Sequence, residues 1–266
     1  MLNFLINKYG EDKLNTMTKY PSILTYHKMD GKGVLTEELS ENKVFDENDK
    51  VYITEKIDGT NIRIICSSNN DYIIGTRNEF LYAKGDRIIN HKREIVDSIL
   101  SSVYLPAITD FTLGRPVCII YGEVYGGRIT AKSKEYTIDK SLGFRVFDVA
   151  RYTLDEMEEI LTQSIKQILS WREHGNHNFL DVTSLKTFCI NRGLPLVPYL
   201  SDGNNGIEIP KDLDSSFKWL QNFKNTSAGI NAHGKAEGIV IRNNDRSMIR
   251  KLRFEDYEKC KRKGGF

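Results

Sequence analysis

The stretch Val51-Tyr52-Ile53-Thr54-Glu55-Lys56-Ile57-Asp58-Gly59-Thr60-Asn61-Ile62-Arg63-Ile64-Ile65 constrains this chain more than any other. Val51 and Ile53, then Ile62 and Ile64, alternate with polar neighbours at the period of half-buried β-structure. Asp58-Gly59 is a strong turn dipeptide, because Gly accepts φ > 0 and Asp hydrogen-bonds its own turn. The reading is a hairpin, with Lys56 held by a sheet just before the bend. An ordinary hairpin with an incidental lysine fits the same residues. A second Lys-x-Asp-Gly stands at Lys28-Met29-Asp30-Gly31. No long strand-like run leads into it, and Gly31-Lys32-Gly33 is loop composition, so a surface turn is expected there. Lys56 alone is expected to have strands on both sides.

Elsewhere, strands are predicted at 72–77, 117–125, 143–149, 236–242 and 248–253, the last two joined by a turn at Asn243-Asn244-Asp245. Amphipathic periodicity predicts helices at 94–105, stopped by Pro106, at 154–171, 181–191 and 212–223. A solvated turn is expected at 46–49. The elements lack a βαβ rhythm, so the expected class is α+β with mainly antiparallel sheets. With 39% hydrophobic and 28% charged residues, 266 residues can bury a core. One domain over 1–266 is expected, with 1–45 as an N-terminal extension and 255–266 as a basic C-terminal tail.

A net charge of +2 gives no global nucleic-acid signal, so any basic surface must be local. Cys66, Cys118, Cys189 and Cys260 form no C-x-x-C, which reads as reduced, buried thiols. His174 and His177 lack convincing metal spacing. No signal peptide or bilayer-spanning run appears. The expected location is the cytoplasm, or a host cytoplasm for a virus-encoded protein, without secretion.

Charged residues recur at strand ends: Lys56 and Asp58, Arg77, Glu123, Asp148, Glu237, and the Lys251/Arg253 pair. Charges flanked by apolar runs need partners or a ligand. Their order resembles the covalent nucleotidyltransferases, the superfamily of DNA ligases, RNA ligases and mRNA capping enzymes. Lys56-Ile57-Asp58-Gly59 is similar to motif I and Thr76-Arg77 to motif Ia. Tyr121-Gly122-Glu123-Val124-Tyr125-Gly126 is similar to motif III and Phe144-Arg145-Val146-Phe147-Asp148-Val149 to motif IIIa. Glu237-Gly238-Ile239-Val240-Ile241-Arg242 is similar to motif IV. Lys251-Leu252-Arg253 is similar to motif V, with arginine where many members carry a second lysine. Asn61, two residues after the motif I glycine, leans the resemblance toward RNA ligases of the RNA ligase 2 type. The chain ends soon after motif V, so no oligonucleotide-binding domain is expected.

The resemblance implies an adenylation domain with an ATP-grasp-like cleft for ATP and Mg²⁺ or Mn²⁺. Its implied partner is RNA with 5′-phosphate and 3′-hydroxyl ends, sealed by a monomer or homodimer. Lys56 would attack the α-phosphate to give a covalent lysyl-AMP. A nucleophilic amine must be neutral, while an ordinary lysine has a pKa of about 10.4, so burial near cations is expected to activate it. The implied catalytic set is Lys56, Glu237, Lys251 and Arg253. The ATP-binding set adds Glu55, Ile57, Asp58, Asn61, Arg77, Glu123 and Phe147. Arg77, Lys251 and Arg253 would neutralise the triphosphate. Glu123, Asp148 and Glu237 would hold the metal, unless Glu123 contacts ribose instead. Asp58 and Asn61 would bind ribose or the substrate end, or stabilise the turn. Phe147 would stack on adenine or serve the core. Alternation puts Phe147 and Asp148 on opposite faces, so twist or a bulge must bring both to one site. The alternatives are a DNA ligase or guanylyltransferase of the same superfamily, or a non-sealing nucleic-acid-binding relative.

Overall fold

The computed structural model describes residues 1–41, 45, 50–68, 70–89, 92–105, 108, 115–175, 177–204 and 207–266. The strands are β1 (His27–Met29), β2 (Leu35–Leu39), β3 (Val51–Lys56), β4 (Thr60–Ser67), β5 (Asp71–Thr76) and β6 (Phe80–Ala83). β7 (Val117–Gly126), β8 (Leu142–Tyr152), β9 (Tyr199–Asn204), β10 (Gly238–Arg242) and β11 (Ile249–Arg253) follow. The helices are α1 (Leu2–Tyr9), α2 (Glu11–Met17), α3 (Arg93–Ser102), α4 (Leu154–Leu161), α5 (Ile165–His174), α6 (Val182–Asn191), α7 (Leu213–Leu220) and α8 (Phe254–Arg262). The class is α+β, and every register determined between paired strands is antiparallel. The turn expected at 46–49 and the stop at Pro106 lie outside the described residues. Among the described residues no helix is long and apolar enough to cross a membrane.

The chain forms two compact units: Met1–Ser22, Gly59–Tyr125 and Leu142–Leu196 in the first, Ile23–Asp58, Gly126–Ser141 and Val197–Phe266 in the second. The first is built on a five-stranded sheet of order β6-β5-β4-β7-β8. In β4 every residue from Ile62 to Ser67 is buried, so the expected half-buried alternation is absent there. α1 contacts β5, while α3 and α6 contact β8, which covers more of the sheet than the sequence pattern implies. Arg63 is drawn inside with its neighbours, its guanidinium over the Phe80 ring at 5.0 Å and bonded to Asn15 of α2. Burial pulls its pKa down to about 10.

The second unit carries a four-stranded sheet of order β11-β10-β3-β9 and the small β1-β2 pair. Val51 and Ile53 of β3, Ile239 and Ile241 of β10 and Leu252 of β11 form its core with residues of α7 and α8. The basic C-terminal segment is a helix docked on this core: Phe254, Tyr257 and Cys260 are buried while Lys261 and Arg262 face outward. β11 does not end the hydrogen bonding. The Lys251 N–H donates to the Leu24 carbonyl at 3.0 Å, and the Tyr26 N–H donates to the Lys251 carbonyl at 3.0 Å.

Several expectations need correction. β3 and β4 are not a hairpin; they belong to different sheets, and the chain passes from the second unit to the first at Asp58-Gly59. Gly59 does not have positive φ. It is required by close approach, since a Cβ there would lie 2.3 Å from the Val124 carbonyl oxygen. Lys28 also stands between strands, on β1 before β2, and pairs with Glu38 at 2.7 Å. Its turn is the expected surface feature, closed by the Asp30 carboxylate accepting the Lys32 and Val34 N–H groups. The helix predicted over 154–171 is two helices. Ser164 begins the second with a capping box to Gln167, as Thr153 begins the first with Glu156. All four thiols are buried and free.

His27 supplies a pH test of the second unit. It is fully buried, with Nδ1 2.8 Å from the Tyr257 hydroxyl and Nε2 3.0 Å from the Lys211 carbonyl. The carbonyl can only accept, so Nε2 carries the proton and Nδ1 accepts from Tyr257. Burial lowers its pKa from 6.5. Below pH 6.5 the unfolded chain binds a proton that the folded chain refuses, so stability present above that pH is lost as pH falls through the folded pKa. Urea midpoints are expected to drop between pH 7 and pH 5, with a smaller slope in His27→Gln.

Candidate active site

Lys56 closes β3 opposite Gly238 of β10, and Gly238 also faces Arg253 of β11. Cross-strand partners share a face, and Lys251 lies on it two residues from Arg253. One face of the second unit's sheet thus carries Lys56, Arg253 and Lys251 around a glycine. Glu237, just ahead of β10, joins them: its Oε2 is 2.6 Å from Lys56 Nζ and its Oε1 is 3.8 Å from Arg253. Lys56 and Glu237 stay partly open, their side chains 26% and 17% exposed. The Arg253 guanidinium is held by two bonds to Asp256, at 2.8 and 2.6 Å. Asp256 is a site residue that sequence reading missed, although the Arg-x-x-Asp spacing across a helix start could have signalled it.

Lys251 differs from its neighbours. It is half-buried and has no ion-pair partner among the described residues. Burial, then Arg253 and Lys56, lower its pKa, against smaller opposing effects of Asp256 and Glu237. Three cations, Lys56, Lys251 and Arg253, meet two carboxylates, Glu237 and Asp256, so the surplus is positive and suits a polyanion. Lys56 itself is engaged with Glu237 as well as lying beside these cations.

Glu55 points to the opposite face and is buried. Its carboxylate accepts from the Thr226 hydroxyl and from the N–H groups of Ser227 at 2.7 Å and Ala228 at 2.9 Å. It therefore clamps the loop at 226–228 to the strand that carries Lys56. Ile57 is buried. The Asp58 N–H donates to the hydroxyl of Tyr136 at 2.8 Å. Tyr136 is fully buried, and burial raises its pKa well beyond the usual phenol range. Neither contact is foreshadowed in the sequence, because the partners are far apart along the chain.

The remaining candidates belong to the first unit. Asn61 of β4 is in register with Glu123 of β7, and its carbonyl accepts the Arg77 N–H at 3.1 Å. The exposed Arg77 guanidinium reaches the Ser22 hydroxyl at 3.3 Å. Phe147 and Asp148 both meet Tyr20. The Tyr20 hydroxyl donates to Asp148 Oδ2 at 2.9 Å, and its ring centroid is 4.9 Å from Phe147 and 5.0 Å from Tyr121. Phe147 and Asp148 still alternate in burial, and the alternation fails only beyond them, where Asp148, Val149 and Ala150 are buried in succession. Tyr20 is buried, packing rather than displaying its ring.

The carboxylates expected to hold a metal are Glu123, Asp148 and Glu237. Among the described residues no three His, Cys, Asp or Glu side chains gather to hold a metal ion. Asp148 is fully buried and bonded to Tyr20, and Glu237 is balanced by two cations.

Comparison with known proteins bears on this arrangement. The family model described as RNA ligase matches residues 49–258. No curated protein sequence matches the chain. Among solved structures, an apo variant of the Naegleria gruberi RNA ligase superposes with a TM-score of 0.56 at 13% identity, covering 93% of this chain and 59% of that one. An archaeal ATP-dependent RNA ligase gives 0.53 at 18% identity, covering 90% of this chain and 49% of that one. A further Naegleria variant, solved with ATP and Mn, gives 0.52 at 14% identity, covering 92% and 63%. The chain thus spans about half to three fifths of the first two structures' own lengths. At these identities the likeness is one of fold.

Proposed function

The chain belongs to the RNA ligase family, and on that premise we propose that it is an ATP-dependent RNA ligase acting through a lysyl-AMP intermediate on Lys56. The observation that carries the reading is the single sheet face where Lys56 meets Glu237 beside an unpaired Lys251 and the braced Arg253. Lys56 must shed a proton to become a nucleophile, and Glu237, 2.6 Å away, is placed to take it. The freed amine attacks the α-phosphorus of ATP. A P–N bond forms, the P–O bond to the β-phosphate breaks, and pyrophosphate leaves. Lys251 and Arg253 offset the negative charge developing on the departing phosphates. AMP then passes to a 5′-phosphate, and a 3′-hydroxyl attacks the adenylated end to release AMP. Asn61, Arg77, Glu123, Phe147 and Asp148 keep the roles that the resemblance implies. A divalent ion, Mg²⁺ or Mn²⁺, would neutralise the nucleotide's phosphates, the manner of binding usual where carboxylates are few.

The test is incubation with α-labelled ATP or GTP, then with nicked RNA or nicked DNA. The expected result is an ATP-dependent protein adduct and sealing of RNA. An adduct from GTP, or sealing of DNA alone, would move the chain to a guanylyltransferase or DNA ligase. RNA binding with no adduct from either nucleotide would make it a non-sealing relative.

A further inference from the structure

The segment between β7 and β8, residues 127–141, carries Arg128, Lys132, Lys134 and Lys140 against Glu135 and Asp139. Four positive and two negative charges give +2, as much as the whole 266-residue chain. The local excess is thus large where the global one is slight. All four cations are exposed, and none has a side-chain hydrogen-bond or ion-pair partner among the described residues. The two acids are used internally. Glu135 Oε2 accepts the Lys235 N–H at 2.9 Å, and Asp139 Oδ1 accepts from the Thr137 hydroxyl at 2.8 Å and the Ser141 N–H at 3.0 Å.

The backbone beneath these cations is pinned. The Gly127 N–H donates to the Ser141 carbonyl at 3.0 Å, and the Ser133 hydroxyl donates to the Gly126 carbonyl at 2.7 Å. From the other side, the Ile230 N–H donates to the Tyr136 carbonyl at 2.8 Å and the Gly234 N–H to the Glu135 carbonyl at 2.9 Å. A charged loop fixed before binding loses less entropy when a ligand arrives. The same segment contributes Tyr136, whose hydroxyl holds the Asp58 N–H two residues after Lys56. The pinned cations are therefore tied, within one unit, to the backbone of the reactive lysine.

We infer that Arg128, Lys132, Lys134 and Lys140 bind the sugar–phosphate backbone of the RNA that is to be sealed. The inference rests on the ligase reading for the identity of its ligand. Repeated, unpaired cations fit a repeating polyanion, and exposed lysines bind phosphate as point charges without base specificity. Direct neutralisation of phosphates makes such binding salt-dependent, with a log–log slope of about −0.7 per single-strand contact.

The experiment measures binding of a 5′-phosphorylated oligoribonucleotide over a series of salt concentrations. Wild type is compared with the double variants Lys132→Gln/Lys134→Gln and Arg128→Gln/Lys140→Gln, each also assayed for adduct formation with ATP and for its urea midpoint. The expected result is weaker RNA binding and a slope shallower by about 0.7 for each contact removed, with adduct yield and midpoint unchanged. Unchanged affinity and slope in both variants would overturn the track. A fall in affinity with an unchanged slope would also overturn it, since the lost contacts would not be phosphate contacts. If wild type forms no adduct, the ligase reading fails, while the binding comparison still decides the track and the midpoint still reports folding.

Discussion

Lys56→Ala is expected to leave a folded protein that forms no adduct with ATP. The loss should be at least about 10³-fold, equivalent to about 4 kcal/mol of barrier, because no other group in the proposal makes the bond to phosphorus. Folding should survive. Lys56 is partly exposed, and its removal leaves Glu237 within 3.8 Å of Arg253 rather than without a counter-charge. Lys56→Arg sharpens the result. It keeps a positive partner for Glu237 but offers no neutral amine, since a guanidinium does not deprotonate in proteins. It should be as inactive in labelling as alanine. Lys28→Ala is the control: that lysine is in the same short motif, but its pair with Glu38 is solvent-exposed and worth little. Mass mapping of the modified peptide decides the matter. An adduct that persists in Lys56→Ala, or that maps to another lysine, would reassign the nucleophile.

Gly238→Ala is expected to damage the site without touching a charge. A Cβ at this position would lie 2.0 Å from the Leu252 carbonyl oxygen and 2.8 Å from the Arg253 Cα. These are backbone atoms, so relief requires β11 to move relative to β10. Overpacking of this kind costs about 1–3 kcal/mol, which should appear as a lowered urea midpoint. The larger effect is on chemistry. Lys56 and Arg253 both oppose Gly238, and Lys251 is on the strand that must move. A displacement of about 1 Å at reacting groups can cost about 10²-fold in rate. Adduct formation is therefore expected to fall by about that factor. Gly31→Ala, where nothing lies within 4 Å, should be silent. A Gly238→Ala protein that labels at the wild-type rate would show that the spacing of β10 and β11 does not set the chemistry.

What could be read in advance depended on how local each signal was. The β10–β11 hairpin was legible because Asn243-Asn244-Asp245 is turn chemistry between two apolar runs, and the strands do pair. The same reasoning failed at Asp58-Gly59. Turn residues announce a bend but not which sheet the next strand joins, and the glycine there answers a distant carbonyl rather than a positive φ. Periodicity over 154–171 hid a helix break that Ser164 and Gln167 do encode as a capping box. Ile62 and Ile64 suggested a half-buried strand, but every residue from Ile62 to Ser67 is buried, and Arg63 is taken in with them. At the site, Lys56, Glu237, Lys251 and Arg253 were legible as an ordered set, and the sheet register gathers them. Glu55 and Tyr136 act through partners far off in sequence, at residues 226–228 and 58, so only the fold reveals what they hold.

The backbone pairing of Lys251 with Leu24 and Tyr26 has a consequence for handling the protein. A strand left at the border of a sheet is a template for association with another chain, and natural proteins cover, charge or shorten such borders. Here the cover comes from residues 24–26, and the strand it protects bears Lys251 and Arg253. A shortened chain starting after Tyr26 would uncover that border and invite edge-to-edge aggregation, so loss of activity in such a protein would report sticking between molecules before it reported a missing catalytic group.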